Sequence, residues 1–423
     1  AALPRAAAPQ AGWSASGAAT AAAAAFAAAA ASRPVATVAR RRQAARSTRL
    51  VRNAAAVESQ EDLATFPFSA VVGQIEMKLA LCLNLVDPVI GGVMIQGERG
   101  TGKSACVRGM VRLLPDLEMV EGDKYNSDPN NIGLMSDDAR KRMNSGEKLP
   151  VVFKRTPFVE LPLGATEDRV TGTIDIERAL MEGGKAFEPG ILAKVNRGIL
   201  YIDEVNLLDD QLVDVLLDSA AGGWNTVERE GISIRHPARF ILIGTAHPDE
   251  GDLRPQMLDR FGLTVGIRTQ NDPQTRLEVL TRTSEWSQNR KKVLDEFGLQ
   301  DAAKKAQVMD ARARLSDVKL SAELKLSISK ICSNLNVDGL RGDIVTNRAA
   351  RALAAFEGRA EVTVDDVLRV APMCLQHRLR KEVTDNLDNS AQVISALVRE
   401  FGRAPPKVVG LGEDVAQETV KLL

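Results

Sequence analysis

Eight consecutive residues restrict this chain more than any other feature: Gly97-Glu98-Arg99-Gly100-Thr101-Gly102-Lys103-Ser104. The string satisfies G-x-x-x-x-G-K-[ST], and its surroundings suit the motif. Gly92 to Gln96 reads as a short buried strand before it, and Lys103 to about Leu113 as a helix after it. The glycines let backbone N–H groups converge on phosphate oxygens, and a helix start adds a favourable dipole. Lys103 is placed to reach the β- and γ-phosphates, and the Ser104 hydroxyl to ligate Mg²⁺. The candidate nucleotide-binding residues are therefore Gly97, Glu98, Arg99, Gly100, Thr101, Gly102, Lys103 and Ser104.

A second constellation belongs with the first. Ile199-Leu200-Tyr201-Ile202-Asp203-Glu204 is an apolar strand that ends in two acids. Asp203 is expected to orient the Mg²⁺ shell and Glu204 to polarise an attacking water. Lys103 and Asp203 stand 100 residues apart, which is more than a minimal P-loop ATPase needs, so inserted structure is expected between them.

Composition excludes several classes. Lys plus Arg and Asp plus Glu both total 55, but residues 1–57 hold eight Arg with no Lys and no acid. The rest is therefore mildly acidic, which argues against a general nucleic-acid coat. No uncharged apolar run reaches the roughly 20 residues of a membrane span. The four cysteines form no CxxC pair, and with only three histidines a zinc cage is not expected. The Ala-, Arg- and Ser-rich opening has the composition of an organelle transit peptide, chloroplast or mitochondrial. A basic arm for an acidic partner is the other reading. The folded protein is expected to begin near Phe66.

Beyond the motifs, an amphipathic helix is expected over Ile75 to Val86. Residues 122–150 are polar and read as an insertion or surface loop. Phe158 to Leu163, Ile199 to Asp203 and Phe240 to Thr245 read as strands, Gln211 to Ala220 as a helix, and Val227 to Phe240 as a hairpin. Strands alternating with helices predict an α/β fold with a parallel sheet sandwiched between helices. Ser284 to Ser316, charged and free of proline, reads as a long linker helix. From Ser321 onward the pattern predicts a smaller all-α domain. The resulting boundaries are 1–57, 66–283, 284–318 and 319–423.

Together the motifs resemble the AAA+ P-loop ATPases, and one family among them. FVELPLGATEDRVTGTIDIE (158–177), FEPGILAKVNRGILYIDEVNLLDD (187–210), WNTVEREGISIRHPARF (224–240) and LNVDGLRGDIVTNRAARALAAFEGR (335–359) are similar to the ATPase I subunit of magnesium chelatase, ChlI or BchI. The likeness runs from about Phe66 to Arg380. It implies helix-2 and pre-sensor-1 insertions and a C-terminal sensor-2 domain. It also implies an ATP-hydrolysing motor that works with D and H subunits to insert Mg²⁺ into protoporphyrin IX for chlorophyll. A homo-oligomeric ring, commonly a hexamer, and a chloroplast stromal location follow from the same resemblance. Arg260 matches the family's arginine finger and Arg341 its sensor-2 arginine.

The sequence departs from that family in places. His247, in Gly244-Thr245-Ala246-His247-Pro248, occupies the sensor-1 position where Asn is usual. An imidazole offers its donor and acceptor at other angles than an amide. ATP binding with slow or altered hydrolysis is therefore expected, as in an auxiliary isoform working beside a sister I subunit. Cys332 and Cys374 match a thioredoxin-responsive pair of the plant members. The remaining family cysteine is Val170 here, so Cys82 lacks its family partner, while Cys106 lies two residues past Ser104. A MoxR-type remodelling ATPase is the alternative outside the family.

Overall fold

The computed structural model describes residues 65–174, 187–229, 232–251, 253–379 and 389–405. The leader expected over residues 1–57 lies outside the described residues. In chain order the strands are β1 (Val93–Gly97), β2 (Asp116–Val120), β3 (Val151–Arg155), β4 (Phe158–Leu161), β5 (Gly172–Ile174), β6 (Phe187–Pro189), β7 (Ile199–Ile202), β8 (Trp224–Arg229), β9 (Ile232–Pro237), β10 (Ile241–Ala246) and β11 (Leu263–Ile267). Five of them, in the order β11-β1-β10-β7-β4, form one sheet in which every pairing is parallel. Both faces of such a sheet are covered, so its inner strands β1, β10 and β7 carry near-continuous apolar runs instead of an alternation.

The two faces separate by residue parity. Val93, Ile95, Ile199, Tyr201, Ile241 and Ile243 join one core layer, and Met94, Leu200, Ile202 and Leu242 the other. Successive side chains of a strand leave on opposite sides, which fixes this sorting once the register is set. The first layer is roofed by α1 (Ile75–Val86) and by the helix that follows the glycine loop, α2 (Lys103–Gly109). Nine of the twelve α1 residues are buried, so the expected amphipathic helix is a core helix. Between β2 and β3, which pair antiparallel, the expected polar loop contains α3 (Asp137–Asn144), whose first turn is capped by the Ser136 hydroxyl.

The second layer is covered by α5 (Ile191–Lys194), which follows the short α4 (Glu167–Thr171), and by α6 (Asp210–Gly222). Helix α6 starts at Asp209, whose carboxylate accepts from Gln211 N, and stops at Gly223, with φ 71°. That pairing of an acidic N-cap with a left-handed glycine is the usual local signal for a helix of this length. The hairpin expected after it is β8 with β9. Strand β10 is followed by α7 (Pro255–Arg260), which returns the chain to the opposite edge of the sheet, where β11 begins.

After β11 come α8 (Pro273–Gln288) and α9 (Arg290–Arg314), so the single helix expected over 284–316 is a correction. The break falls at Asn289, whose side chain caps α9 by accepting from Lys292 N at 3.1 Å. The chain continues through α10 (Ala322–Asn334), α11 (Arg341–Phe356), α12 (Val364–Leu375) and α13 (Asn389–Phe401). Helix α12 opens on a capping box between Thr363 and Asp366. Ile328, Leu353, Leu368 and Leu397 belong to the same apolar cluster as Ile95 and Leu83. The helical elements therefore share a core with one face of the sheet.

Candidate nucleotide site

The glycine loop is shaped by what surrounds it. A Cβ on Gly97 would lie 2.3 Å from the Ile267 carbonyl oxygen, so only glycine lets β1 run this close to β11 at its exit. Gly102 caps α2 with φ 83°, a left-handed backbone that side chains resist. Lys103 Nζ donates to the carbonyl oxygens of Gly97 and, at 2.9 Å, Glu98, which holds the ammonium over the loop. Burial lowers its pKa from the ordinary lysine value, against the opposing pull of Asp203 and Glu204.

Asp203 leaves β7 directly opposite the loop. The Ser104 hydroxyl donates to its carboxylate at 3.3 Å. The same carboxylate accepts from the Tyr201 hydroxyl at 2.8 Å and the Thr245 hydroxyl at 2.6 Å. Tyr201 sits two residues back on the same face, and burial first of all raises the pKa of its phenol. In the ladder of β10 with β7, Ile243 lies opposite Tyr201, so the next same-face position, Thr245, arrives beside Asp203. Sequence reasoning missed both residues. Tyr201 could have been found by strand parity alone, whereas Thr245 requires the register.

Glu204 follows with φ 58° and ψ 63°, an uncommon conformation for a residue with a side chain. Its N–H donates to the Thr245 hydroxyl at 3.0 Å. Thr245 thus fixes Asp203 and the next residue together. The Glu204 carboxylate stands 4.0 Å from Arg99, which also pairs with Glu250. Arg99 to Ser104, Asp203, Glu204, Thr245 and His247 enclose a pocket of about 330 Å³.

His247 lies at the end of β10 and is 7% exposed. Its Nδ1 accepts from the Asp249 backbone N–H at 3.1 Å and caps the short turn Pro248–Glu250. That bond assigns the ring proton to Nε2. An Asn amide would present donor and acceptor from one terminal group, whereas this ring has its acceptor engaged by its own loop.

Arg260 and Arg341 do not join the P-loop pocket. Arg260, at the end of α7, pairs with Asp218 of α6 at 2.5 Å. Arg341, the first residue of α11, donates to the Asp259 carboxylate at 3.0 Å and to its carbonyl at 3.1 Å. Arg378, which sequence reasoning did not single out, pairs with the same carboxylate. It also donates to the carbonyls of Asp259 (2.7 Å), Phe261 (2.7 Å) and Cys374 (2.9 Å). Asp259, next to Arg260, therefore ties the end of α7 to the start of α11 and to the turn that follows α12. Arg260 and Arg341 line a neighbouring cavity of about 1250 Å³, which meets the P-loop pocket at Ala246 and His247.

Cys332 and Cys374 are free thiols in the shared core, both pushed up to about 12 by burial. They are held as thiols near neutral pH. Cys106 is also fully buried, in the core layer behind the loop and outside the pocket lining. Val170 and Cys82 lie in opposite core layers.

The donor set suits Mg²⁺. Among the described residues no group of three or more His, Cys, Asp or Glu side chains could hold a metal ion. A site built from one hydroxyl and one carboxylate serves an ion that takes the rest of its shell from phosphate and water.

Comparisons with known proteins converge. Residues 171–270 match the family described as magnesium chelatase, subunit ChlI, and residues 325–397 match the AAA lid domain. The chain is 59% identical over 336 residues to the magnesium-chelatase subunit ChlI of Cyanophora paradoxa, covering 79% of this chain and 97% of that protein. It is 58% identical over 337 residues to the chloroplastic subunit ChlI of Chlamydomonas reinhardtii, covering 80% and 81%. It is also similar to a chain of the cryo-EM complex of subunits BchI and BchD of magnesium chelatase, with 50% identity, TM-score 0.45, and coverage of 76% and 98%. A crystal structure from Cytophaga hutchinsonii, at 18% identity and TM-score 0.52, covers 79% of this chain and 91% of its own and shares the fold.

Proposed function

This chain belongs to the magnesium-chelatase subunit ChlI family, and from that premise we propose that it is the ATP-hydrolysing motor of magnesium chelatase. The observation that carries the reading is the contact of Ser104 with Asp203 at 3.3 Å, with Glu204 beside it on a strained backbone. Backbone amides of the loop hold the phosphates, and Lys103 neutralises charge on the β- and γ-oxygens. Ser104 and Asp203 would hold Mg²⁺, which supplies charge neutralisation to the nucleotide. Glu204 accepts a proton from the attacking water, and its left-handed backbone aims the carboxylate into the pocket.

Arg260 stands outside its own P-loop pocket, which supports an arginine finger supplied in trans. A ring of six copies follows. D and H subunits are its partners, and the H subunit holds the porphyrin into which Mg²⁺ is inserted as substrate. The location is the chloroplast stroma, supported by the relative named chloroplastic. Cys332 and Cys374 are assigned as a thioredoxin-responsive pair. Identity of 59% to a ChlI subunit sets a MoxR-type chaperone aside.

One observation favours a second reading, that of an auxiliary isoform beside a sister I subunit. His247 spends its acceptor on Asp249 N and so orients the γ-phosphate differently from an amide. The test is reconstitution with D and H subunits, following Mg²⁺ insertion by porphyrin fluorescence. ATP-dependent insertion that disappears with Lys103→Ala is expected. No insertion, with ATP binding intact, would replace the motor by the auxiliary reading.

A further inference from the structure

The P-loop occupies the carboxyl ends of the sheet strands. At their amino ends, where β1, β7, β10 and β11 begin, the chain forms a cleft of about 770 Å³. Seven arginines line it and no carboxylate does. Three of these are Arg260, Arg341 and Arg378. The other four stand in two pairs.

Arg197 and Arg239 lie on the loops entering β7 and β10, joined where Arg197 N donates to Arg239 O at 2.6 Å. Arg197 adopts φ 65°, uncommon for a residue with a Cβ. Its guanidinium is fixed by Asp128 at 3.1 Å and by the Glu118 carbonyl at 2.6 Å. Arg312 and Arg348 come from α9 and α11, and both reach the end of α1. Arg312 donates to Leu85 O at 2.5 Å, and Arg348 pairs with Asp87 at 3.5 Å.

The charges do not balance. Asp259 serves two of the seven arginines, while Arg239 and Arg312 have no carboxylate among the described residues. Burial alone lowers the Arg312 pKa, with no acid opposing it. A largely buried guanidinium without a counter-ion is costly, and an anion in the cleft would remove that cost. Planar guanidinium forks bind phosphate oxygens two at a time, and like-charged walls concentrate the field between them.

We propose that this cleft is a second anion site, separate from the nucleotide pocket, which takes a compact multivalent phosphate between the Arg197/Arg239 and Arg312/Arg348 pairs. The phosphate comes either from free pyrophosphate or from the tail of a free nucleotide. Because one pair belongs to the sheet loops and the other to the helices, occupancy fastens the two together.

The experiment is calorimetric titration of the full chain carrying Lys103→Ala, at a dilution where it is monomeric, with sodium pyrophosphate against chloride of equal ionic strength. One site per chain is expected, weakened at least tenfold by adding Arg239→Glu or Arg312→Gln and unchanged by Arg276→Glu, an exposed arginine outside the cleft. Arg239 is itself exposed, so its variant answers the question if Arg312→Gln fails to fold. Competition by ATP assigns the nucleotide tail, and its absence assigns free pyrophosphate. Three results would overturn the proposal. These are no binding beyond chloride, equal losses with Arg239→Glu and Arg276→Glu, or binding only in the assembled ring, which would assign the arginines to the neighbour's nucleotide.

Discussion

Removing the Asp259 carboxylate should loosen the helical elements from the sheet. In Asp259→Ala, Arg378 loses its counter-ion and Arg341 loses its partner at 3.0 Å. The Arg378 side chain is 1% exposed, so water does not reach it easily. Breaking a fully buried pair costs about 3–5 kcal/mol. Two features reduce that here. The Asp259 side chain is 41% exposed, so solvent screens part of the interaction. Arg378 also keeps three backbone carbonyls. About 2 kcal/mol is therefore expected, near one charged hydrogen bond. With an unfolding entropy of about 0.7 kcal/mol/K for a body of this size, Tm falls by about 3 °C. Asp259→Asn keeps an acceptor and should lose about half as much. Scanning calorimetry with and without nucleotide is the assay. An Asp259→Ala midpoint indistinguishable from that of the unsubstituted protein would mean that the carbonyls alone hold Arg378, and the argument would fail.

Two further predictions concern single side chains. His247→Asn replaces a ring tied to Asp249 N with an amide at the pocket wall, and on the proposed role steady-state turnover should rise by roughly tenfold; unchanged turnover would remove His247 from the account. Glu76 is pushed up from 4.5 to about 7 by burial, with Arg369 opposing. A raised carboxyl pKa means that folding favours the protonated form. The site therefore costs little below 4.5, and a penalty accumulates as pH climbs from 4.5 to about 7, levelling off near about 3 kcal/mol by pH 8. Glu76→Gln should then stabilise the protein by about 3 kcal/mol at pH 8 and by under about 1 kcal/mol at pH 5 in urea titrations, whereas an equal gain at both would contradict the burial argument.

The local parts of the site were legible because their signals are local. The loop from Gly97 to Ser104 and the acids Asp203 and Glu204 are each contiguous in sequence and sit at strand ends. Thr245 was not legible, because it meets Asp203 only through the β10–β7 register. Arg378 and Asp259 lie 119 residues apart, and nothing near either announces the pairing. β2 reads Asp-Leu-Glu-Met-Val and β11 Leu-Thr-Val-Gly-Ile. Acids in the first and an interior glycine in the second hide strands that neighbouring strands stabilise. The same holds for α3, whose eight residues include only one buried side chain. The helical elements were foreseen as helices, but their burial against the sheet was not, since apolar spacing shows that a face is covered and not by what.

The central claim is that Lys103, Ser104, Asp203 and Glu204 form a hydrolytic site and not merely a binding site. It is tested most directly by measuring ATP binding and ATP turnover on one preparation of the chain and its Glu204→Gln variant. The account predicts that the variant binds ATP as tightly as the unsubstituted chain while turnover falls by about a hundredfold or more. Equal turnover in the two proteins would contradict it.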